Sequence, residues 1–275
     1  MALIQVSYLS KALFRTVPLY VILPSDKIDY RTFDYVGGRS KKFKTLYLLH
    51  GLLGDCSDWV NGTRIRRWAE EKNLAVVMPS GDNAFYIDYP GTKNNYSTFI
   101  GKELVEVTRN MFPLSDKRED TYIAGLSMGG YGALRNGIVY SDTFSYVAGF
   151  SAAAHLFDGK EHDAVLMNDE AIFGDMEKAG KTDLNPKVAF ENLLKENRPV
   201  PKFYISCGTQ DGLMDANVDF RDFLISKGAD VTWDEEDKGH DWDFWDSQIK
   251  KLLDRLPLED SGMGLGSGNV RIGEE

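Results

Sequence analysis

The sequence predicts an α/β protein in which a mostly parallel sheet is covered by helices on both faces. Short apolar runs bounded by turn residues indicate strands, and apolar residues recur at helical spacing between them. Some of these runs have no polar alternation, which is typical of strands buried on both faces. With 275 residues, of which 43% are hydrophobic and 27% charged, the chain suits one soluble α/β domain with a substantial core.

The predicted strands follow one another along the whole chain. They are residues 4–9, 16–23, 45–49, 74–78, 121–124, 146–150, 202–206 and 230–233. The first two alternate between apolar and polar residues and are joined by a short polar turn, whereas residues 24–44 form a connection. Residues 45–49 and 74–78 are continuous apolar runs, which we expect in the middle of the sheet.

Helices are predicted between the strands. In chain order, these helices contain residues 65–69, 97–111, 131–135 (where a helix starts), 185–194, 220–228 and 245–256. Ser97 is expected to be the N-cap of the second of these helices. The expected buried stripe of that helix is Ile100, Leu104, Val107 and Met111. Asn185 before Pro186 predicts a helix start, and Gly228 predicts a helix end.

The order of these elements predicts a single domain over residues 1–258. Residues 155–201 are too many for a plain connection, and we expect them to form a small cap over the strand ends. The alternative is that residues 155–201 form a surface loop with no functional role. Residues 259–275 are rich in glycine and acidic, and we expect a flexible tail, either native or left by cloning.

Charge and cysteine content exclude several classes of protein. A formal net charge of −10 argues against nucleic-acid binding. No stretch reaches the roughly 18 apolar residues of a membrane span, and residues 1–8 lack the pattern of a signal peptide. Cys56 and Cys207 are expected to be buried in a reducing compartment, although a bridge between them stays open. We therefore expect a cytoplasmic protein that acts on a small molecule; association into a homo-oligomer stays open.

A Gly-x-Ser-x-Gly motif carries the main functional signal. Residues 125–129 lie between a predicted strand and a helix that begins near Tyr131. In this setting Ser127 stands on a sharp turn, and glycines two residues before and after it relieve crowding. The N-terminus of the helix also favours developing negative charge. Chance occurrence is the alternative in a chain with 26 glycines, but the strand–turn–helix setting favours Ser127 as a nucleophile.

The partners of this serine are predicted from chain order. On such a sheet the order is serine, acid, histidine, which selects His240 among the histidines His50, His155, His162 and His240. The acid is expected in the loop after residues 202–206, where Asp211 is the first choice. Asp215 is the runner-up, and it fits better as a helix cap.

An oxyanion hole requires two backbone N–H groups. One is expected from Met128, the residue after the nucleophile. The other is expected from Leu52, in the glycine-containing loop 50–55 that follows a central strand. A plain strand-to-helix turn is the alternative for that loop.

The chain resembles the esterase D family of α/β-hydrolases, and most of all its tributyrin-esterase branch. The segments that carry this resemblance are residues 48–52, 58–59, 125–130, 208–211 and 239–242. The resemblance implies the α/β-hydrolase fold and carboxylic-ester hydrolysis by a catalytic triad of Ser127, Asp211 and His240. It also implies Leu52 and Met128 as oxyanion donors.

By the same resemblance, Trp59 and Trp242 are implied near the acyl pocket, although packing in the core is an equal alternative for tryptophan. No cofactor or metal is expected, because the chain has neither a His-Glu-x-x-His pattern nor paired cysteines at zinc-binding spacing.

The predicted function is that of a serine esterase that hydrolyses short-chain acyl esters through an acyl-enzyme. Its partner is a small-molecule ester. Three enzymatic alternatives stay open: a thioesterase similar to S-formylglutathione hydrolases, a carbohydrate esterase of the feruloyl or acetylxylan type, and an acyltransferase. The alternative from another class is a non-catalytic binding protein on a hydrolase scaffold.

Overall fold

The computed structural model describes residues 1–28, 34–35, 42–157 and 169–258. Its strands are β1 (Ala2–Ser10), β2 (Arg15–Leu23), β3 (Thr45–Leu49), β4 (Ala75–Pro79), β5 (Asp88–Tyr89), β6 (Asn94–Asn95), β7 (Thr121–Leu126), β8 (Tyr146–Phe150), β9 (Lys202–Gly208) and β10 (Val231–Glu236). Its α-helices are α1 (Asp58–Gly62), α2 (Ile65–Glu71), α3 (Tyr96–Thr98), α4 (Leu104–Met111), α5 (Met128–Val139), α6 (Asp169–Phe173), α7 (Met176–Ala179), α8 (Pro186–Lys195), α9 (Met214–Ser226) and α10 (Trp242–Arg255).

Eight strands form one sheet in the order β1-β2-β4-β3-β7-β8-β9-β10. The strands from β4 to β10 in this order pair in parallel, whereas β1 and β2 pair antiparallel at one edge. The mostly parallel sheet predicted from the sequence is therefore confirmed. The hairpin of β5 and β6 was not predicted, because two residues in each strand leave no pattern to detect.

Two hydrophobic cores lie on opposite faces of the sheet, because successive side chains of a strand point to opposite sides. Tyr47 and Leu49 of β3 belong to the core that α4, α5, α8 and α9 cover. Leu46 and Leu48 belong to the other core, which α2 and α10 cover. Every residue of β3, β4, β7 and β8 is buried, as expected for central strands.

The prediction for Ser97 as a helix N-cap is wrong. Ser97 lies inside α3, and its hydroxyl contacts Asn136 on α5. A π-helical turn over Phe99–Glu103 follows, and its wider turn shifts the buried face of α4. That face continues through Val105 and Thr108 instead of Val107 and Met111.

In the second half of the chain, Asn185 and Gly228 have the roles at helix ends that the sequence predicts. The side chain of Asn185 caps α8 by accepting a hydrogen bond from Lys187 N–H, with Pro186 at the first helical position. Gly228 has φ of 81° just beyond α9, as its role at a helix end requires. Asp215 does not cap α9, because it lies inside the first turn, after Met214.

Helix α8 belongs to the segment predicted as a cap, and it packs against α5. The hydroxyl of Tyr131 donates to Leu184 O at 2.6 Å, and Arg135 Nε donates to Asp183 O at 3.0 Å. The residues directly before α8 are thus hydrogen-bonded to α5, the helix that follows Ser127. Residues 158–168 and the predicted tail, 259–275, lie outside the described residues. Within the described ranges, no helix is both long and apolar enough to cross a bilayer.

Candidate active site

Ser127 occupies a strained position between β7 and α5. Its backbone has φ of 52° and ψ of −117°, in a region that non-glycine residues seldom adopt. Ser127 N–H donates to Phe150 O at 2.9 Å, while Ser127 O accepts from Tyr131 N–H and Ala153 N–H, each at 3.0 Å. The backbone of the serine is therefore fixed by its own helix, by the last residue of the neighbouring strand β8 and by the loop after that strand.

Backbone segments approach each other so closely at this turn that the motif requires glycine, which has no Cβ atom, at two positions. A Cβ atom at Gly125 would overlap the carbonyl of Gly129. A Cβ atom at Gly129 would overlap the carbonyl oxygens of Leu49, the last residue of β3, and of His50 directly after it. The glycines therefore bring the loop after β3 against the turn that carries Ser127.

Replacing Gly129 with alanine is expected to lower the free energy of unfolding by about 1–3 kcal/mol, because the added methyl group meets backbone atoms. Gly212→Ala is the matched control, since no atom lies within 4 Å of a Cβ at that position. Denaturant unfolding monitored by circular dichroism measures both variants. Equal stability of the two variants would contradict the proposed crowding at Gly129.

The sheet brings Asp211 and His240 together. Asp211 follows β9, His240 follows β10, and Ser127 follows β7, so that all three lie at the carboxyl edge of the parallel strands. His240 Nδ1 lies 2.8 Å from Asp211 Oδ2. A carboxylate only accepts hydrogen bonds, so Nδ1 carries the proton and donates it. The Asp211 side chain is 1% exposed and that of His240 is 37% exposed, which leaves Nε2 as the ring nitrogen available for chemistry.

The Asp211 carboxylate is stabilised in its ionised form. Burial alone raises its pKa, but hydrogen bonds from His240 and from Leu213 N–H lower the pKa below its ordinary value. The bond from Leu213 N–H reaches Oδ1 at 2.9 Å. The two oxygens are therefore held by different partners, which fixes the plane of the carboxylate.

A row of tryptophans lies beside His240. The Trp245 ring is in edge contact with His240 at a centroid distance of 5.0 Å, and with Trp242 at 5.1 Å. Trp242 in turn contacts Trp59 at 5.7 Å. Trp59 is 1% exposed, and its Nε1 donates to Leu49 O at 2.9 Å. Trp59 is thus packed in the core, and Trp242 is the half-buried member of the pair.

The loop after β3 lies against the nucleophile. A Cβ atom at Gly51 would be 3.5 Å from the Cβ atom of Ser127. Leu52 follows directly and is partly buried, whereas Met128 at the start of α5 is fully buried. The first N–H groups of a helix have no acceptor within the helix, so Met128 can offer its N–H to a ligand.

His50 fixes the geometry of this loop. Its ring Nδ1 lies 2.7 Å from Gly51 O, and its Nε2 accepts a hydrogen bond from Gly81 N–H at 2.8 Å. Nδ1 must therefore carry the proton and donate to Gly51 O. Burial lowers the pKa of His50 and favours this neutral form. Since C=O and N–H of a trans peptide point in opposite directions, Leu52 N–H is directed away from the His50 ring.

The role of His50 in holding this loop is not predicted from the sequence, where its position before the serine only excludes it as the base. The one sequence feature that indicates such a role is a histidine directly after a buried strand. His155 is half-buried, and His162 lies outside the described residues. Across the described ranges no group of three or more histidine, cysteine or acidic side chains is placed to hold a metal ion.

Comparison with known proteins identifies the family. The model of the esterase family, described as "Putative esterase", matches residues 10–256. The chain belongs to this family. The enzyme is a carboxylic ester hydrolase with the α/β-hydrolase fold, and the predicted fold class is confirmed.

Relatives of the esterase cover nearly its whole length. It is 40% identical over 261 residues to an acetyl esterase of Caldicellulosiruptor saccharolyticus, covering 92% of this chain and 97% of the relative. An S-formylglutathione hydrolase structure from Staphylococcus aureus is 33% identical, with a TM-score of 0.79 and coverage of 93% and 98%. A fluorophosphonate-binding serine hydrolase from the same organism is 32% identical, with a TM-score of 0.80 and the same coverage.

Proposed function

We propose that this esterase hydrolyses short-chain acyl esters through a catalytic triad of Ser127, His240 and Asp211. The observation that carries the proposal is the hydrogen bond of 2.8 Å between His240 Nδ1 and Asp211 Oδ2. It commits Nδ1 as donor and leaves Nε2 as the base. The strained turn at Ser127, at the same edge of the sheet, supports the serine as the nucleophile.

In the first step, His240 Nε2 takes the proton of Ser127 Oγ while Oγ forms a bond to the ester carbonyl carbon. The carbonyl oxygen becomes an oxyanion. The tetrahedral intermediate then breaks the bond to the alcohol oxygen, which leaves with the proton from His240. In the second step, water attacks the acyl-enzyme with the same proton transfers, and the acid is released with Ser127 restored.

Leu52 N–H and Met128 N–H are proposed to stabilise the oxyanion in both steps. The position of Gly51 beside Ser127 supports the first donor, and the helix N-terminus supports the second. The hydrogen bond from His50 to Gly51 O supports an orientation of Leu52 N–H that faces away from the His50 ring. Since both donors are backbone groups, their side chains matter little for this role.

Trp242 is proposed to contact the acyl group, with Trp59 packed beneath it. The half-buried position of Trp242, two residues after His240, supports this assignment. Residues 155–201 are proposed as the cap, and residues 1–258 as the single domain. A cytoplasmic location also stays a prediction, supported by two buried cysteines that form no bridge.

We propose that the substrate carries an acetyl or similarly short acyl group, since the relative at 40% identity is named an acetyl esterase. Membership of the tributyrin-esterase branch is consistent with this and stays a prediction. We expect kcat/KM for nitrophenyl acetate and butyrate to exceed that for nitrophenyl decanoate by about 10-fold or more. A preference for the decanoate would overturn the short-chain assignment.

A thioesterase that acts on S-formylglutathione is the second candidate, favoured by the 33% identity to the staphylococcal hydrolase of that name. Comparing kcat/KM for S-formylglutathione with that for nitrophenyl acetate separates the two functions. We expect the oxygen ester to be the better substrate. A kcat/KM about 100-fold higher for the thioester would replace the proposal with the second candidate.

A further inference from the structure

The loop after β4, residues 80–87, is hydrogen-bonded to the loop that carries the first proposed oxyanion donor. The hydroxyl of Tyr86 donates to His50 O at 3.0 Å. The side chain of Asn83 accepts from Leu53 N–H at 2.8 Å through its Oδ1. These two contacts reach the backbone of the loop after β3 on either side of the proposed donor.

Three consecutive peptide groups of the loop after β3 are held by three different side chains. The first contains His50 O and is held by Tyr86. The second contains Leu52 N–H and is held by the His50 ring, which itself accepts from Gly81 N–H in the loop after β4. The third is held by Asn83. A peptide group is planar, so these contacts fix the direction of Leu52 N–H from both sides.

The turn around the proposed donor is unfavourable on its own. Gly54 N–H donates to Gly51 O at 3.4 Å and closes a turn in which Leu53 has φ of 63°. Such a turn prefers glycine at this position, and Leu53 is 82% exposed, so its side chain gains little from packing. Among the described residues, no acceptor is bonded to Leu52 N–H, which leaves this donor for a ligand.

Tyr86 is itself fixed in place. It is fully buried, and its φ of 55° follows a φ of 48° at Phe85, two successive left-handed conformations that the surroundings must hold. Asn136 Nδ2 on α5 donates to Tyr86 O at 2.9 Å. The ring lies against Gly81, where a Cβ atom would be 2.1 Å from Tyr86 Cε1. The hydroxyl is therefore directed at His50 O by a rigid frame.

We propose that Tyr86 and Asn83 are positioning residues of the active site, which direct Leu52 N–H toward the oxyanion formed on attack by Ser127. They act through the backbone of the loop after β3. This inference rests on the proposed function, in which Leu52 is an oxyanion donor. A role in stability alone is the competing explanation.

Two variants remove these contacts, and each has a matched control. Tyr86→Phe removes the hydroxyl and keeps the ring. Its control is Tyr47→Phe, because Tyr47 is also fully buried and its hydroxyl bonds to Thr108 Oγ1 at 2.9 Å. Asn83→Ala removes the acceptor from an exposed residue, and its control is Asn94→Ala, an exposed asparagine on β6. Circular dichroism checks that all four variants are folded.

We expect Tyr86→Phe and Asn83→Ala each to lower kcat for nitrophenyl acetate about 10-fold, because a misdirected donor loses part of the stabilisation of the oxyanion. KM should change less than about twofold, and Tyr47→Phe and Asn94→Ala should keep wild-type kcat. Wild-type kcat in either variant would overturn the role of that residue. So would an equal loss in its control, or a raised KM with kcat unchanged.

Inhibition by trifluoroacetone separates this role from a role in stability. This ketone adds to a nucleophilic serine as a tetrahedral adduct that carries an oxyanion, so its binding depends on the oxyanion donors. Its inhibition constant should rise about 10-fold in Tyr86→Phe and in Asn83→Ala, and stay at the wild-type value in the two controls. An unchanged inhibition constant in both variants would overturn the inference.

Leu52→Pro tests whether Asn83 acts through the proposed donor, because proline has no N–H. This variant should lower kcat by about 10²–10³-fold. On its background, Asn83→Ala should lower kcat by less than about twofold, and a further loss of about 10-fold would overturn the inference. If Leu52→Pro retains wild-type kcat, the proposed oxyanion donor fails. If Leu52→Pro is slow while Asn83→Ala and Tyr86→Phe are not, only the inference about these two residues fails.

Discussion

Replacement of Ser127 by alanine is expected to lower kcat for nitrophenyl acetate by about 10⁴-fold or more. The variant lacks the oxygen that is proposed to form the acyl-enzyme, so only binding and the proposed oxyanion hole remain to accelerate attack by water. Alanine keeps the Cβ atom, and the two backbone hydrogen bonds from Tyr131 and Ala153 to residue 127 are unaffected. The variant should therefore fold as the wild type does. Steady-state kinetics and thermal unfolding measure the two effects.

Ser226→Ala is the matched control for this variant. Ser226 is an exposed serine at the C-terminal end of α9, where its hydroxyl donates to Phe223 O. This control should retain wild-type kcat. Wild-type kcat in Ser127→Ala, or an equal loss in both variants, would contradict the role of Ser127.

Replacement of Asp211 by asparagine is expected to lower kcat by about 10⁴-fold, because an amide in this place no longer stabilises the protonated imidazole. The neutral side chain can also present its NH₂ group to Nδ1, which would move the ring proton to Nε2 and remove the base. Burial of Asp211 and its bond to Leu213 N–H make the position rigid, so water cannot easily replace the carboxylate.

Asp215→Asn tests the alternative acid that chain order leaves open. Asp215 is exposed in the first turn of α9, whereas the His240 ring is bonded to Asp211. We expect Asp215→Asn to keep wild-type kcat, measured with the same ester. A large loss in Asp215→Asn together with an active Asp211→Asn would reverse the assignment of the acid.

Most of the sheet could be predicted because its strands are short apolar runs between turn residues. The run at Thr45–Leu49 contains no charged residue and no polar alternation, which is typical of a strand buried on both faces. The stripe of α4 could not be predicted in the same way. The π-helical turn at Phe99–Glu103 has no local sequence signal, and its Gly101 packs closely against the ring of Tyr140, the residue directly after α5.

The candidate site is likewise predicted only in part from the sequence. Ser127, Asp211 and His240 could be proposed from a motif, from chain order and from the loops after strands. The contacts that hold the loop after β8 could not be predicted, because Asn217 on α9 and Trp245 on α10 reach this loop over long sequence separations and no motif surrounds them. The neutral form of His50 likewise depends on Gly81, a residue 31 positions away.

The central claim is that Ser127 is made nucleophilic by His240, and covalent labelling with a fluorophosphonate tests it most directly. The wild-type enzyme should gain one adduct in the intact mass, located on Ser127 by peptide mass spectrometry. Labelling should be slowed by about 10³-fold or more in His240→Ala, because that variant lacks the proposed base. An adduct on another residue, or labelling of His240→Ala at the wild-type rate, would contradict the account.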